Sequence, residues 1–248
     1  MAIVTGGGTG VGRAVSLRLA SMGAATVVVN YSKSRQEAEQ TAAELERYGC
    51  KGLPFQADIG QADEARRMVD TVRSLQGRID VLVNNAGTTR FVPHTDLNSL
   101  SDQMWSEILQ VNLMGPFYCS RAAAPSLRET GGAIVNVTSI AGLRASGSSI
   151  PYSVSKAALI QLTRNLASAL APEVRVNAVA PGLVSSRWYR AAFGEEVARE
   201  QELRRAASTP LNSVATPDQI AQAVVAMIDC DFVTGECLVV DGGRSISY

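Results

Sequence analysis

The chain has 248 residues, 46% hydrophobic and 19% charged, which suits one globular domain of open α/β type. Its 23 basic and 23 acidic side chains cancel, so the charge pattern offers no footprint for nucleic acid or an anionic membrane as a partner. No apolar run approaches the ~20 residues of a bilayer span. Cys50, Cys119, Cys230 and Cys237 lack metal-ligand spacing and read as reduced thiols of a cytoplasmic protein. Met1-Ala2-Ile3-Val4 runs straight into a glycine loop, so no cleavable signal peptide and no metal site are expected.

Short β-branched runs alternate with longer helical stretches. Ile3–Val4 begins a strand and Val11–Met22 follows as a helix. Thr26–Val29 is a strand, and Arg35–Tyr48 an amphipathic helix closed by Gly49. Leu53–Gln56 is a third strand. Asp63–Leu75 is a helix with acids in its first turn and Gly77 beyond its end, and Val81–Val83 is the fourth strand. Trp105–Arg128 reads as a long helix interrupted near Gly115-Pro116. Ile134–Val137, helix Tyr152–Leu170 and strand Val174–Val179 follow. Ser186–Ala207 reads as one charged helix. Thr216–Met227 opens on Thr-Pro-Asp, a good helix start, and Leu238–Val240 is the last strand. This β-α order with apolar strands predicts a doubly wound parallel sheet with helices on both faces, a single domain over 1–248.

Thr5-Gly6-Gly7-Gly8-Thr9-Gly10-Val11-Gly12 lies between the first strand and the first helix. A bare glycine repeat is an ordinary flexible turn. Between a strand and a helix, it lets the backbone approach a pyrophosphate at the helix N-terminus. Further on, Ser139 is followed by Tyr152 and, four residues later, Lys156. A phenol with a pKa of ~10 is inert at neutral pH. An ammonium ~4 Å away at an effective dielectric of ~20 favours the phenolate by about 4 kcal/mol, enough to poise the tyrosine for proton transfer. Spacing of i and i+4 puts the two on one helix face.

Together with Asp58, Asn84-Asn85-Ala86-Gly87, Asn112 and Pro181-Gly182, these segments make the chain resemble a short-chain dehydrogenase/reductase over nearly its whole length. The similarity is to the single-domain branch with a Rossmann-like fold, near the 3-oxoacyl-carrier-protein reductases. The resemblance implies an enzyme moving a hydride between nicotinamide and a ketone or secondary alcohol. In it Tyr152 is general acid and base, Ser139 binds the substrate oxygen, Lys156 tunes Tyr152 and holds the nicotinamide ribose, and Asn112 helps keep a proton-relay water. It further implies cofactor contacts from Gly6, Gly8, Thr9, Gly10, Val11 and Gly12 in the loop. Asp58 would bind the adenine amino group with Ile59 beside the ring; Asn85, Ala86 and Gly87 would line the ribose. Pro181, Gly182 and Val184 would meet the nicotinamide. Ser186 stands where relatives often carry a threonine on the carboxamide. Each of Ser139, Asn112 and Asp58 alone reads equally well as a turn or helix cap.

The second strand ends Val29-Asn30-Tyr31-Ser32-Lys33-Ser34-Arg35 with no acid. An acid there would repel a 2′-phosphate, whereas Ser32, Lys33 and Arg35, beside Tyr31, could bind one. That favours NADP. Many NADP-dependent relatives carry a basic residue where Thr9 stands, so NAD use stays open. Residues 183–211, with Trp188, Tyr189 and Phe193, are expected to fold over a small carbonyl or alcohol substrate, with Arg144, Ser146 and Ser149 nearby. A homotetramer built on the two long helices is what the resemblance implies, and Ala122-Ala123-Ala124 and Ala157-Ala158 offer close approach. His94 matches no family position and reads as a surface or substrate-rim residue. Two alternatives compete. Enoyl reductases share the fold but usually space tyrosine and lysine more widely. A dinucleotide-sensing binding protein without turnover would tend to lose one of the pair.

Overall fold

A computed structural model describes residues 1–185 and 187–246 and, for 187–189, the helical backbone. Seven parallel strands form one sheet in the order β3-β2-β1-β4-β5-β6-β7. They are β1 (Ala2–Val4), β2 (Thr26–Tyr31), β3 (Lys51–Gln56), β4 (Val81–Asn84), β5 (Ala133–Val137), β6 (Arg175–Pro181) and β7 (Cys237–Val240). The β1 register pairs Ile3 with both Val28 and Leu82, which centres the short first strand in the sheet.

Strand alternation divides the core. Val4, Val29, Val83 and Val135 face helices α1 (Gly10–Ser21), α2 (Arg35–Leu45) and α9 (Pro217–Asp229). Ile3, Val28, Leu82 and Ile134 face α3 (Ala62–Gln76), α5 (Gly115–Thr130) and α6 (Ile150–Leu170). Both faces of the inner strands β1, β2, β4, β5 and β6 are buried, hence their apolar runs, while the edge strands β3 and β7 are partly exposed. Each fully buried Ile, Leu or Met contributes about 2 kcal/mol. Among the described residues no helix is long and apolar enough to cross a membrane.

The chain winds from β1 out to β3, then returns to β4 on the other side of β1. That reversal opens a crevice at the carboxyl ends of β1 and β4, where ligands of such sheets bind.

The long helical stretch around Asn112 is interrupted just ahead of Gly115-Pro116, near the expected interruption. It is α4 (Asp102–Leu109), a π turn over Gln110–Met114, then α5. Proline has no N–H to give, so Pro116 cannot close an α-helical bond onto Asn112, and the Gly115 N–H reaches back to Gln110 instead. The charged stretch expected as one helix is α7 (Arg187–Phe193) and α8 (Glu195–Ala207), parted at Gly194 with φ +83°. Only glycine takes that conformation at no steric expense.

Candidate active site

A cleft of about 1270 Å³ runs along the carboxyl edge of the sheet, from the β2 end across the glycine loop to Ser139, Tyr152 and the segment after β6. At its centre α1 begins. Thr9 precedes the helix with no side-chain cap, and the first turn carries no acid, so the N-terminal N–H groups face the cleft unclaimed. Gly10 has φ +51° and open space where a Cβ would stand. Gly6, Thr9, Gly10 and Val11 line the cleft.

Gly8 and Gly12 are not among the cleft-lining residues. A Cβ on Gly8 would lie 2.7 Å from Ala38 Cα, and one on Gly12 2.1 Å from the Gly6 carbonyl oxygen. These two glycines are needed for packing: one lets α2 approach the loop, the other lets α1 sit under it.

The loop is held from below by residues whose role sequence reasoning missed. Asn30 Oδ1 accepts from the Gly6 N–H at 3.3 Å, while Asn30 Nδ2 donates to the Ala57 carbonyl at 3.0 Å. Thr5 Oγ1 accepts from the N–H groups of Asn85 and Ala86 at 2.9 and 3.0 Å. Asn85 Nδ2 donates to the carbonyls of Thr5 and Gly6, so its side chain fastens β4 to the loop, and Asn85 also lines the cleft. The available signal was a buried asparagine at a strand end, since Asn30 is 2% exposed and so must find partners.

At the β2 end, Tyr31, Ser32 and Lys33 line the cleft, as do Asp58 and Ile59 after β3. Asp58 Oδ1 accepts from the Gly60 N–H at 2.9 Å, a local turn rather than a helix cap. Arg35 does not reach the cleft, because its guanidinium pairs with Glu39 on its own helix at 2.7 Å. A smaller cavity beside Lys33 is lined by Gln56, Glu64 and Arg67, and Arg67 is a basic residue absent from the sequence reading.

At the other end α6 carries Tyr152 and Lys156 into the cleft on one face. Lys156 is 4% exposed. Its Nζ donates to the Val137 carbonyl at 2.9 Å and lies 5.7 Å from the centroid of the Tyr152 ring. Burial pushes the ammonium down to about 8. Ser139 lines the cleft, and its Oγ accepts from the Ala141 N–H at 3.1 Å, so it also caps the turn Ile140–Gly142. Ala86, Gly87, Pro181, Gly182 and Val184 line the same cleft.

Asn112 sits on the π turn, fully buried and outside the cleft lining. Its Oδ1 accepts from the Thr88 N–H at 2.8 Å, and its Nδ2 donates to the Thr88 carbonyl and to Ser155 Oγ, each at 3.0 Å. It therefore clamps the chain after Gly87 to the helix of Tyr152, one residue before Lys156. Ser186 lies outside the described residues, as do the side chains of Trp188 and Tyr189. Phe193 meets Phe91 edge-on, with centroids 4.8 Å apart. His94 lies in the loop after β4, does not line the cleft and has its Nε2 buried.

The site tests well as a holder for a dinucleotide. Uncapped N–H groups and an open Gly10 suit a pyrophosphate, and no acid among the described lining residues opposes one beside the loop; the cleft is long enough to join it to Tyr152. Comparisons with known proteins agree. A family model described as enoyl-(acyl carrier protein) reductase matches residues 6–245. A Streptomyces violaceoruber protein assigned as ketoacyl reductase 2 of the granaticin polyketide synthase is 44% identical over 99% of this chain and 96% of its own. The 3-oxoacyl-(acyl-carrier-protein) reductase FabG of Staphylococcus aureus is 37% identical over 98% and 96%. A crystal structure assigned to the short-chain dehydrogenases/reductases, from Burkholderia xenovorans, superposes with a TM-score of 0.92 at 35% identity, covering 99% of this chain and 98% of that one. Cleft, catalytic-pair geometry and likeness converge: the chain belongs to the short-chain dehydrogenase/reductase family of NAD(P)-dependent oxidoreductases acting on carbonyl and alcohol carbons.

Proposed function

We propose that this protein is an NADPH-dependent reductase of 3-oxoacyl thioesters, with Tyr152 as the proton donor. The observation that carries the reading is the buried Lys156 ammonium beside the Tyr152 ring in the dinucleotide cleft. The names of the relatives, a ketoacyl reductase and a 3-oxoacyl reductase, supply the substrate class.

Bound nicotinamide supplies a hydride to the carbonyl carbon. The chain handles the oxygen and the proton. Ser139 Oγ, at the mouth of β5, donates to the carbonyl oxygen as negative charge grows there. Tyr152 gives that oxygen its proton, and the ammonium of Lys156 favours the phenolate left behind. The Lys156 Nζ lies 5.7 Å from the centre of the tyrosine ring, near enough for its charge to favour the phenolate. With Lys156 titrating at about 8, the charge is present at pH 7 and fades above pH 8. Asn112 positions the Thr88 backbone against the helix of this pair. A keto rather than an enoyl substrate is supported by the four-residue spacing of Tyr152 and Lys156.

Lys33 and Ser32 at an acid-free strand end support NADP over NAD, with Arg67 close by across the smaller cavity. Residues 183–211 act as the substrate lid within one domain. The protein works in the cytoplasm as a homotetramer on α5 and α6, supported by their alanine runs. The test is NADPH and NADH oxidation with acetoacetyl thioesters, diketones, sugars and steroids. NADPH-linked turnover of the thioesters, lowered at least ~100-fold in Tyr152→Phe with NADPH binding retained, is the expected result. NADPH binding without reduction of any ketone would sink it in favour of a sensor.

A further inference from the structure

Beyond the reacting groups, the substrate end of the cleft is lined by Arg144, Arg205 and Arg244. Three separate elements bring them there: the segment between Ser139 and Tyr152, the last turn of α8, and the turn after β7. Two of their side chains bond to carbonyls of the neighbouring segments. Arg144 Nη1 donates to the Arg244 carbonyl at 2.7 Å, and Arg244 Nη1 donates to the Ser208 carbonyl at 2.6 Å. Ser208 ends α8, its N–H donating to the Arg205 carbonyl at 3.2 Å, so the Arg244 side chain meets the backbone end of the turn that carries Arg205.

The carboxylates lining the cleft are already engaged or far off. Asp58 is at the adenosine end. Glu107 pairs with Arg90 at 3.2 Å. Asp241 accepts from the N–H groups of Gly243 and Ser245 and from Ser245 Oγ. Among the described residues no carboxylate pairs with Arg144 or Arg205. Like charges gathered on three elements repel one another unless an anion joins them. The bond to Arg244 fixes the Arg144 plane and leaves its remaining N–H groups for a ligand, the fork geometry that fits phosphate and carboxylate.

We propose that Arg144 and Arg205 form an oxyanion subsite that selects ketone substrates carrying a phosphate or carboxylate beyond the reacting carbonyl. This rests on reading the cleft as a carbonyl-reductase site. The oxyanion has two possible sources, the phosphate of a thioester's pantetheine arm or a carboxylate at the far end of the acyl chain.

Three probes separate them: acetoacetyl-pantetheine, acetoacetyl-4′-phosphopantetheine and 3-oxoglutaryl-pantetheine. kcat/KM for each is measured with NADPH on the full chain, on R144Q/R205Q, and on R66Q, whose arginine lies on the outer face of α3 beside Asp63. Wild type and R66Q are expected to prefer one charged probe over the neutral one by about tenfold, the probe naming the source, with the preference erased in R144Q/R205Q. Calorimetric titration of 4′-phosphopantetheine and 3-oxoglutarate into the same NADPH-loaded proteins reads the subsite without turnover. Equal kcat/KM for all three probes in wild type overturns the proposal, and so does a preference or affinity that survives R144Q/R205Q. If no thioester is reduced at all, the thioester-reductase reading fails, and the subsite stands or falls on the calorimetry alone.

Discussion

Replacing Lys156 by Met should abolish catalysis and yet stabilise the ligand-free protein. The wild-type ammonium is buried, and its pKa falls from the ordinary 10.5 to about 8. At ~1.4 kcal/mol per pH unit, that gap corresponds to about 3 kcal/mol lost to desolvation at neutral pH. Met keeps the bulk of the stem and removes the charge. It also removes the ammonium's bond to the Val137 carbonyl, worth about 2 kcal/mol. The net expectation at pH 7 is a gain of about 1 kcal/mol, or roughly 2–4 °C in Tm for a chain of this size. The pH dependence is the sharper readout. Below pH 8 native and unfolded chains both hold the proton, and the burial penalty is complete. Between about 8 and 10.5 the native state has released it while the unfolded chain has not. The unfolded state then binds more protons, so wild-type stability rises with pH relative to the variant. Urea denaturation of both proteins from pH 7 to 10.5, without cofactor, reads the difference. A gap that stays constant across that window, or a variant less stable than wild type at pH 7, would refute the account of Lys156 as an uncompensated buried cation.

Other consequences follow from the same geometry. Asn112→Ala strips the Thr88 N–H and carbonyl of their partners inside a buried site, and a loss of about 3 kcal/mol in urea unfolding together with a lower kcat is expected; a loss below about 1 kcal/mol would show the clamp to be dispensable. Gly12→Ala places a methyl 2.1 Å from the Gly6 carbonyl oxygen, so the loop and α1 must part. NADPH affinity by fluorescence titration should drop at least ~10-fold, and unchanged affinity with an unchanged Tm contradicts the packing role. Lys33→Ala removes the cation at the β2 end: KM for NADPH should rise about tenfold with that for NADH nearly steady, while parallel changes in both would place the 2′-phosphate elsewhere.

Much of this was legible in the chain, because the signals are local. Apolar runs bounded by glycines mark strands, since both faces of a parallel sheet are buried. The four-residue interval of Tyr152 and Lys156 sets their common face wherever the helix lies. The absence of an acid after Val29 is visible as plain text. Packing decided the rest. Gly8 and Gly12 look like Gly10 in sequence, and only the approach of Ala38 and of the Gly6 carbonyl separates a packing glycine from a cleft glycine. Pro116 signals an interruption, but the π turn that aims Asn112 at Thr88 depends on which carbonyl the Gly115 N–H finds. Burial, a property of the assembled core, turns Lys156 from an ordinary lysine into one titrating near 8. Residues 144, 205 and 244 are separated by 61 and 39 positions in the chain. No periodicity could relate them, and it is the return of α8 and the last turn to the mouth of the cleft that makes them neighbours.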